Sequence, residues 1–174
     1  MSLLPEAAKA YIGLEATTEI ACERVERGAV RRYAQAIMDE DPIFREPCAT
    51  NARYGGPVAP PIFPTHMFYW RSFGLPDPVQ ENAHDPDFDG TVGLTGGLPE
   101  IEPLKHLAVL NGGSELEFYR YARHGETVKL SARYDDIVEK QTSKGPMILV
   151  ISVSDFLTGD NELLLRARRT QIRR

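Results

Sequence analysis

ETVKLSARYDDIVEKQTSKGPMILVISVSDFLTGDNELLLRARRTQI, residues 126–172, is the stretch whose reading decides the fold. Apolar and polar residues alternate through it with period two, the pattern of strands that bury one face. Glu126–Val138, Pro146–Leu157 and Glu162–Ile172 read as strands, separated by the turn signals Ser143-Lys144-Gly145 and Thr158-Gly159-Asp160-Asn161. Just upstream, Ser114–Ala122 reads as a fourth strand. Four strands in succession predict an uninterrupted antiparallel meander.

The first 73 residues have a different texture. Thr18–Val25 (TEIACERV) alternates and reads as a first strand. Over Gly28–Asp39, Val30, Tyr33, Ala34, Ile37 and Met38 fall at helical spacing, with Arg31, Arg32 and Gln35 on the opposite face. That helix is expected to stop at Asp39-Glu40-Asp41-Pro42, because proline disfavours helical backbone in the residue before it. Ile62–Phe73 is apolar nearly all round and reads as a buried helix, with Pro64 tolerated near its start. A meander placed after a buried helix predicts an α+β domain whose sheet wraps around that helix. Gly74–Lys105 is rich in proline, glycine and acid and weak in periodicity, as lids and insertions are.

Composition narrows the function classes. The chain has 174 residues, 42% hydrophobic and 26% charged, which suits one globular domain. A net charge of −5 argues against nucleic acid as a partner, although Arg166, Arg168, Arg169, Arg173 and Arg174 concentrate positive charge near the end. Two cysteines, Cys22 and Cys48, are too few for a disulfide scaffold and point to a reducing compartment. Met1–Tyr11 does not read as a signal peptide, and no apolar run is long enough to span a bilayer, so a cytoplasmic protein is expected.

Three segments carry a resemblance. Tyr33–Phe44 (YAQAIMDEDPIF) resembles the signature of the MaoC-like (R)-specific hydratases and dehydratases. In that signature an aspartate is followed by a variable residue, an asparagine or aspartate, a proline, another residue and a histidine. Val58–Phe63 (VAPPIF) looks like the lead-in to the central helix of the N-terminal, non-catalytic type in that family. Leu110–Phe118 (LNGGSELEF), followed by His124-Gly125-Glu126, is similar to the glycine-led strand and turn of the same subgroup.

The resemblance spans most of residues 20–173 apart from 74–105, and it implies a hot-dog fold: an antiparallel sheet around a long central helix. It also implies reversible addition of water to a trans-2-enoyl thioester, giving an (R)-3-hydroxyacyl thioester. Such chemistry asks for a carboxylate and an imidazole to handle the proton, N–H groups for the thioester oxygen, and an apolar tunnel.

Asp39 takes the motif's aspartate position, either lining the site or merely capping the following turn. Phe44 stands where the catalytic histidine would be, and phenylalanine cannot transfer a proton. Within the family this departure implies a unit that builds part of the acyl tunnel for a catalytic partner chain. Phe44, Pro61 and Phe63 are then expected against the acyl chain, and Asn111, Gly112 and Gly113 are candidates for presenting backbone N–H groups. The glycines equally suit a bend before a strand.

His66 on the buried helix is a substitute base or a hydrogen-bonded core residue. His84, His106 and His124 have no metal-ligand spacing, so no metal and no resident cofactor is expected beyond the coenzyme A or acyl-carrier thioester of the substrate. Cys48 has no activating base in its neighbourhood of sequence. The terminal arginines suit phosphates or, more commonly, plain solvation. The acidic run with Asp85, Asp87 and Asp89 suits either a cover or a contact arm.

Three functional readings follow: a cradle subunit in a heterodimer with a catalytic MaoC-like chain, a self-sufficient homodimeric hydratase, or a non-catalytic acyl-thioester-binding module. A thioesterase is a further enzymatic alternative, since the hot-dog fold hosts both chemistries.

Overall fold

A computed structural model describes residues 2–68, 76–88 and 96–174. Among these residues five strands form one antiparallel sheet: β1 (Glu19–Ile20), β2 (Val109–Phe118), β3 (Val128–Thr142), β4 (Gly145–Thr158) and β5 (Leu163–Arg173), in spatial order β1-β3-β4-β5-β2. Among the described residues the helices are short: α1 (Glu6–Lys9), α2 (Arg27–Ala36), α3 (Phe63–His66) and α4 (Pro78–Glu81). Among the described residues no helix is long and apolar enough to cross a membrane.

The central meander follows the period-two reading. Thr142 pairs with Gly145 across a two-residue turn, and Gly145 supplies the positive φ of 107° there. At the β4–β5 turn the left-handed position falls to Asn161, φ 66°. Leu130, Ala132 and Tyr134 of β3 face the packed side of the sheet and are buried.

Their neighbours face the other side, where ions pair across the strands. Arg166 of β5 grips Asp155 of β4 through two bonds of 2.6 and 2.8 Å, and Arg168 pairs with Asp135 of β3. These half-exposed bridges add about 0.2–1 kcal/mol each and set partner identity more than stability. Arg166 and Arg168, expected as solvated or phosphate-facing, are committed to the sheet itself.

The meander does not extend to β2. That strand pairs with β5, from Val109 opposite Arg173 to Phe118 opposite Leu165, and so becomes the sheet's edge. Its connection to β3 crosses the end of the sheet instead of turning back as a hairpin. Tyr119 and Arg120 donate to the Leu164 carbonyl, and the Ala122 carbonyl accepts from Ala59. Arg120 is clamped by Glu126 (2.8 Å) and Glu162 (2.9 Å), which fastens the crossing to both flanking turns. A nine-residue link between strands permits either route, so the sequence pattern did not separate them.

Along β2 the register shifts between Asn111 and Gly113, leaving Gly112 as the extra residue of a β-bulge. A Cβ on Gly112 would stand 2.9 Å from both the Thr170 carbonyl oxygen and the Thr170 methyl, closer than side chains tolerate.

Two apolar clusters fill the packed side. One joins Val25 and Val30 to Val58, Phe63, Leu130 and Phe156. The other joins Ala8 to Leu98, Ile101, Leu104, Ile137 and Ile148. The second cluster corrects the expectation for Gly74–Lys105 as lid or insertion throughout. Leu98, Ile101 and Leu104 are core, at 5%, 1% and 0% exposure, and the Tyr134 hydroxyl donates to the Pro99 carbonyl at 2.8 Å.

The expected helix over Ile62–Phe73 is described only as far as Phe68. Phe63–His66 forms a helical turn with Pro64 near its start, and Met67 and Phe68 continue as a turn. Tyr69, Trp70 and Phe73 lie outside the described residues, as does Asp89.

Helix α2 ends earlier than expected. Met38 adopts a left-handed φ of 58°, and the Asp39 N–H donates back to the Ala34 carbonyl at 2.8 Å. This is a Schellman-type closure with methionine where glycine is usual. It turns Ile37 and Met38 outward, 46% and 87% exposed, so the apolar stripe stops at Ala34.

Two measurements check this description. Gly112→Ala should lower stability by about 1–3 kcal/mol in urea unfolding, as overpacking does, because the β2 and β5 backbones must move apart. A neutral outcome would place the bulge elsewhere.

The second concerns His124, in the turn before β3, whose Nε2 is buried without a hydrogen-bond partner. Burial holds its pKa below the ordinary 6.5, the Val58 backbone pulls it up, and Arg27 lowers it further. The unfolded chain therefore binds this proton more readily. The stabilising contribution is present above pH 6.5 and is lost progressively as pH falls from that value through the lower folded-state pKa. The urea midpoint should fall between pH 7.5 and 5.5, and His124→Gln should flatten that slope.

Candidate active-site region

The motif loop is built from its own side chains. After the closure of α2, the Asp39 carboxylate accepts the Asp41 N–H at 3.0 Å. Asp41 in turn accepts the Ile43 N–H at 3.0 Å and caps a 3-10 turn over Pro42–Phe44. These are the local bonds that aspartates make just ahead of proline. Arg45 reaches back to the Asp39 carbonyl at 3.4 Å.

Asn51, only 1% exposed, anchors the loop from beneath. Its amide nitrogen donates to the Glu46 carbonyl (2.7 Å) and the Ile43 carbonyl (3.4 Å), while its oxygen accepts the Cys48 N–H (3.1 Å). The sequence reading missed Asn51, and a lone asparagine before Ala-Arg-Tyr carries no signal that would have found it. Cys48 lies on the same loop, and the Thr50 hydroxyl at 3.0 Å holds its thiol below the ordinary range.

The loop's rigidity delivers Phe44 inward. Phe44 is 4% exposed, in the first apolar cluster, with its ring 6.3 Å from that of Tyr121. The position at which the motif places an imidazole is thus dry and aromatic. Asp39, five residues earlier in the chain, is half-buried in its turn and lines none of the three clefts around this loop.

Three clefts surround this region. The first, about 450 Å³, opens between α2 and α3 and is lined by Tyr33, Phe63, His66 and Met67 with Arg24 and Arg32 at its rim. His66 stands against aromatic rings there, 5.4 Å from Tyr33 and 6.2 Å from Phe63. The second, about 500 Å³, lies where β2 begins its crossing, between Tyr54, Pro61, Phe118 and Tyr121. The third, about 240 Å³, lies on the packed face of the sheet between Ile62, Thr65, Ser114, Ser152 and Ser154.

The expected site residues are therefore divided. Phe63 and His66 share the first cleft. Pro61 lines the second, and Phe44 packs beneath it through Tyr121. Asn111, Gly112 and Gly113 lie on exposed edge strand β2 and line none of these clefts. The Asn111 side chain accepts the Gly113 N–H at 2.9 Å, which fits the bend at the bulge.

Asp39 and His66 do not meet in any of these clefts. Among the described residues no group of three or more His, Cys, Asp or Glu side chains could hold a metal ion. Apart from Pro61, the second cleft's residues were also missed, although Tyr119-Arg120-Tyr121-Ala122-Arg123 carries a visible alternation of aromatic and cationic side chains.

Comparison with known proteins places this geometry. The family model of the FAS1-like, dehydratase domain region matches residues 10–165. No curated protein matches the chain significantly in sequence. Among solved structures, the chain is similar to one in the ChsH1–ChsH2 complex from Mycobacterium tuberculosis. Identity is 22% and the TM-score 0.69, over 96% of this chain and 88% of that one.

A second likeness is to the HadBC (3R)-hydroxyacyl-ACP dehydratase complex of the same organism, at 16% identity and TM-score 0.55, covering 93% and 96%. A third is to the (R)-hydratase from A. caviae involved in PHA biosynthesis, at 13% identity and TM-score 0.56, covering 98% of both chains. The chain accordingly has the hot-dog fold of the MaoC-like hydratases and dehydratases, and it belongs to the family of the FAS1-like dehydratase domain region.

Proposed function

We propose that the chain is a substrate-cradling subunit of a hydratase/dehydratase acting on 2-enoyl and (R)-3-hydroxyacyl thioesters in the cytoplasm. The observation that carries this reading is Phe44, packed at 4% exposure where the family motif has its histidine. General acid–base groups contribute about 10²–10⁴-fold to such reactions, and a buried phenyl ring contributes nothing of that kind. The ring fills the place of an imidazole from beneath, and the apolar surface open to an acyl chain lies to either side of it, with Phe63 in the first cleft and Pro61 in the second.

In this reading the catalytic imidazole comes from another chain. Strand β2 supplies the kind of surface such a chain needs. All ten of its residues are exposed, and Val109, Leu110, Leu116 and Phe118 are large apolar side chains in water. A long exposed edge of this sort is a template for pairing with a second sheet. Two of the structures that share the fold are two-component complexes, ChsH1–ChsH2 and HadBC.

A second reading rests on His66. It lines a 450 Å³ cleft with Tyr33 and Phe63, so a self-sufficient homodimer could place its base there.

The test is the loss of enoyl-thioester absorbance when the pure chain meets short-chain and bulky enoyl-CoA. The cradle reading expects no turnover by the chain alone and turnover once a catalytic subunit is added. Rapid hydration by the pure chain would overturn it. In that event, loss of activity in His66→Asn with Asp39→Asn unaffected would assign the base to His66. Release of free thiol would instead make the protein a thioesterase.

A further inference from the structure

The second cleft has a chemistry that acyl-chain binding does not require. Its walls are four aromatic rings, Tyr54, Phe118, Tyr119 and Tyr121, and three arginines reach it. The rings are ordered against one another: Tyr54 and Tyr121 meet edge to face at 5.1 Å, and Tyr121 rests on buried Phe44. Arg120 is already balanced, held by Glu126 and Glu162, and it fixes the segment that carries Tyr119 and Tyr121. Tyr119 is steadied by its hydroxyl, which donates to Glu117 at 2.6 Å.

Arg53 and Arg123 differ from Arg120. Both are exposed, and neither forms an ion pair with a carboxylate among the described residues. The Arg53 guanidinium lies 4.6 Å over the Tyr54 ring, an arrangement that leaves its N–H groups free to turn to an anion. Two uncommitted guanidinium groups beside a set of ordered rings suit a flat heterocycle carrying phosphate. Rings stack on rings, and arginine forks match phosphate oxygens. A volume of about 500 Å³ is in the ordinary range for such a ligand.

We propose that this cleft binds the phosphorylated adenosine end of a coenzyme A thioester, and so selects coenzyme A over a carrier protein as the substrate's handle. The proposal rests on the thioester reading above. A pantetheine arm delivered by a carrier protein ends in one phosphodiester and has no base to stack, so it would leave the rings of the cleft unused. The cleft and the dry Phe44 are joined through Tyr121. The nucleotide would therefore sit above the motif position that Phe44 fills, beside Pro61.

The experiment is calorimetric titration of the full chain with adenosine 3′,5′-bisphosphate, adenosine and crotonyl-pantetheine. The bisphosphate should bind one per chain and weaken with added salt, since exposed charges are screened. Arg53→Gln combined with Arg123→Gln should weaken it about tenfold or more, with the melting temperature unchanged because both side chains are exposed. Tyr54→Ala should also weaken bisphosphate and adenosine alike, whereas the arginine pair should affect the bisphosphate more.

Absence of saturable bisphosphate binding overturns the proposal, as does binding that ignores both sets of substitutions. If crotonyl-pantetheine is hydrated with a catalytic subunit while the bisphosphate does not bind, the nucleotide cleft falls and the dehydratase reading stands. If the bisphosphate binds as expected but no thioester is bound or converted, the cleft stands as a nucleotide site and the dehydratase reading falls.

Discussion

The alternation of side chains across β3, β4 and β5 is the constraint on which the rest depends. Backbone pairing fixes the three strands over most of their length, and the two-residue period then sends every second side chain to a dry face or a wet one. A slip of one residue would bring Arg166, Arg168 and Asp155 into the apolar clusters and put Leu130, Leu165 and Phe156 in water. The ion pairs on the wet face penalise such a slip through lost partners, while the apolar clusters penalise it through lost burial. Burial is the larger effect, at roughly 1.5–3 kcal/mol for each large side chain, against a fraction of that for each exposed pair.

The candidate site hangs from this platform by two local devices. The left-handed Met38 ends α2, and the Asp39 and Asp41 carboxylates then fold the next residues into turns that point Phe44 inward. In the family motif the same frame would carry a histidine. Here the frame is kept and the reactive group is replaced by an apolar ring packed on Tyr121. The charged half of the motif is spent on shaping the loop, with the carboxylate of Asp39 engaged by the Asp41 N–H.

The crossing of β2 over the end of the sheet connects the loop to its surroundings. It creates the exposed edge strand and also brings Tyr119, Arg120, Tyr121 and Arg123 across to Tyr54 and Pro61. One connection thus generates both the exposed edge of the sheet and the aromatic, cationic cleft beside Phe44. The clamp of Arg120 between Glu126 and Glu162 gives that segment a single course.

The sequence by itself determined the three central strands, since a period of two and the glycine- and asparagine-marked turns at 143–145 and 158–161 are local properties, whereas the strand read at Thr18–Val25 pairs only at Glu19–Ile20 and the one read at Ser114–Ala122 runs over Val109–Phe118. It also determined that residue 44 cannot be a proton carrier, because that follows from the side chain alone. What it left open were relations between distant segments. The pairing of β2 with β5, the core role of Leu98, Ile101 and Leu104, and the outward turn of Ile37 and Met38 depend on which surfaces meet.

The division of the expected site residues among separate clefts is of the same kind. Asp39 and His66 are chemically able to cooperate, but only the tertiary structure says where each side chain stands. A periodic pattern reports which face of an element is apolar; it carries no information about which other apolar face will cover it. That choice is made by chain connection and shape when the whole core closes, and for this protein it places Phe44 beneath Tyr121 and leaves Asp39 half-buried in its turn, outside the clefts.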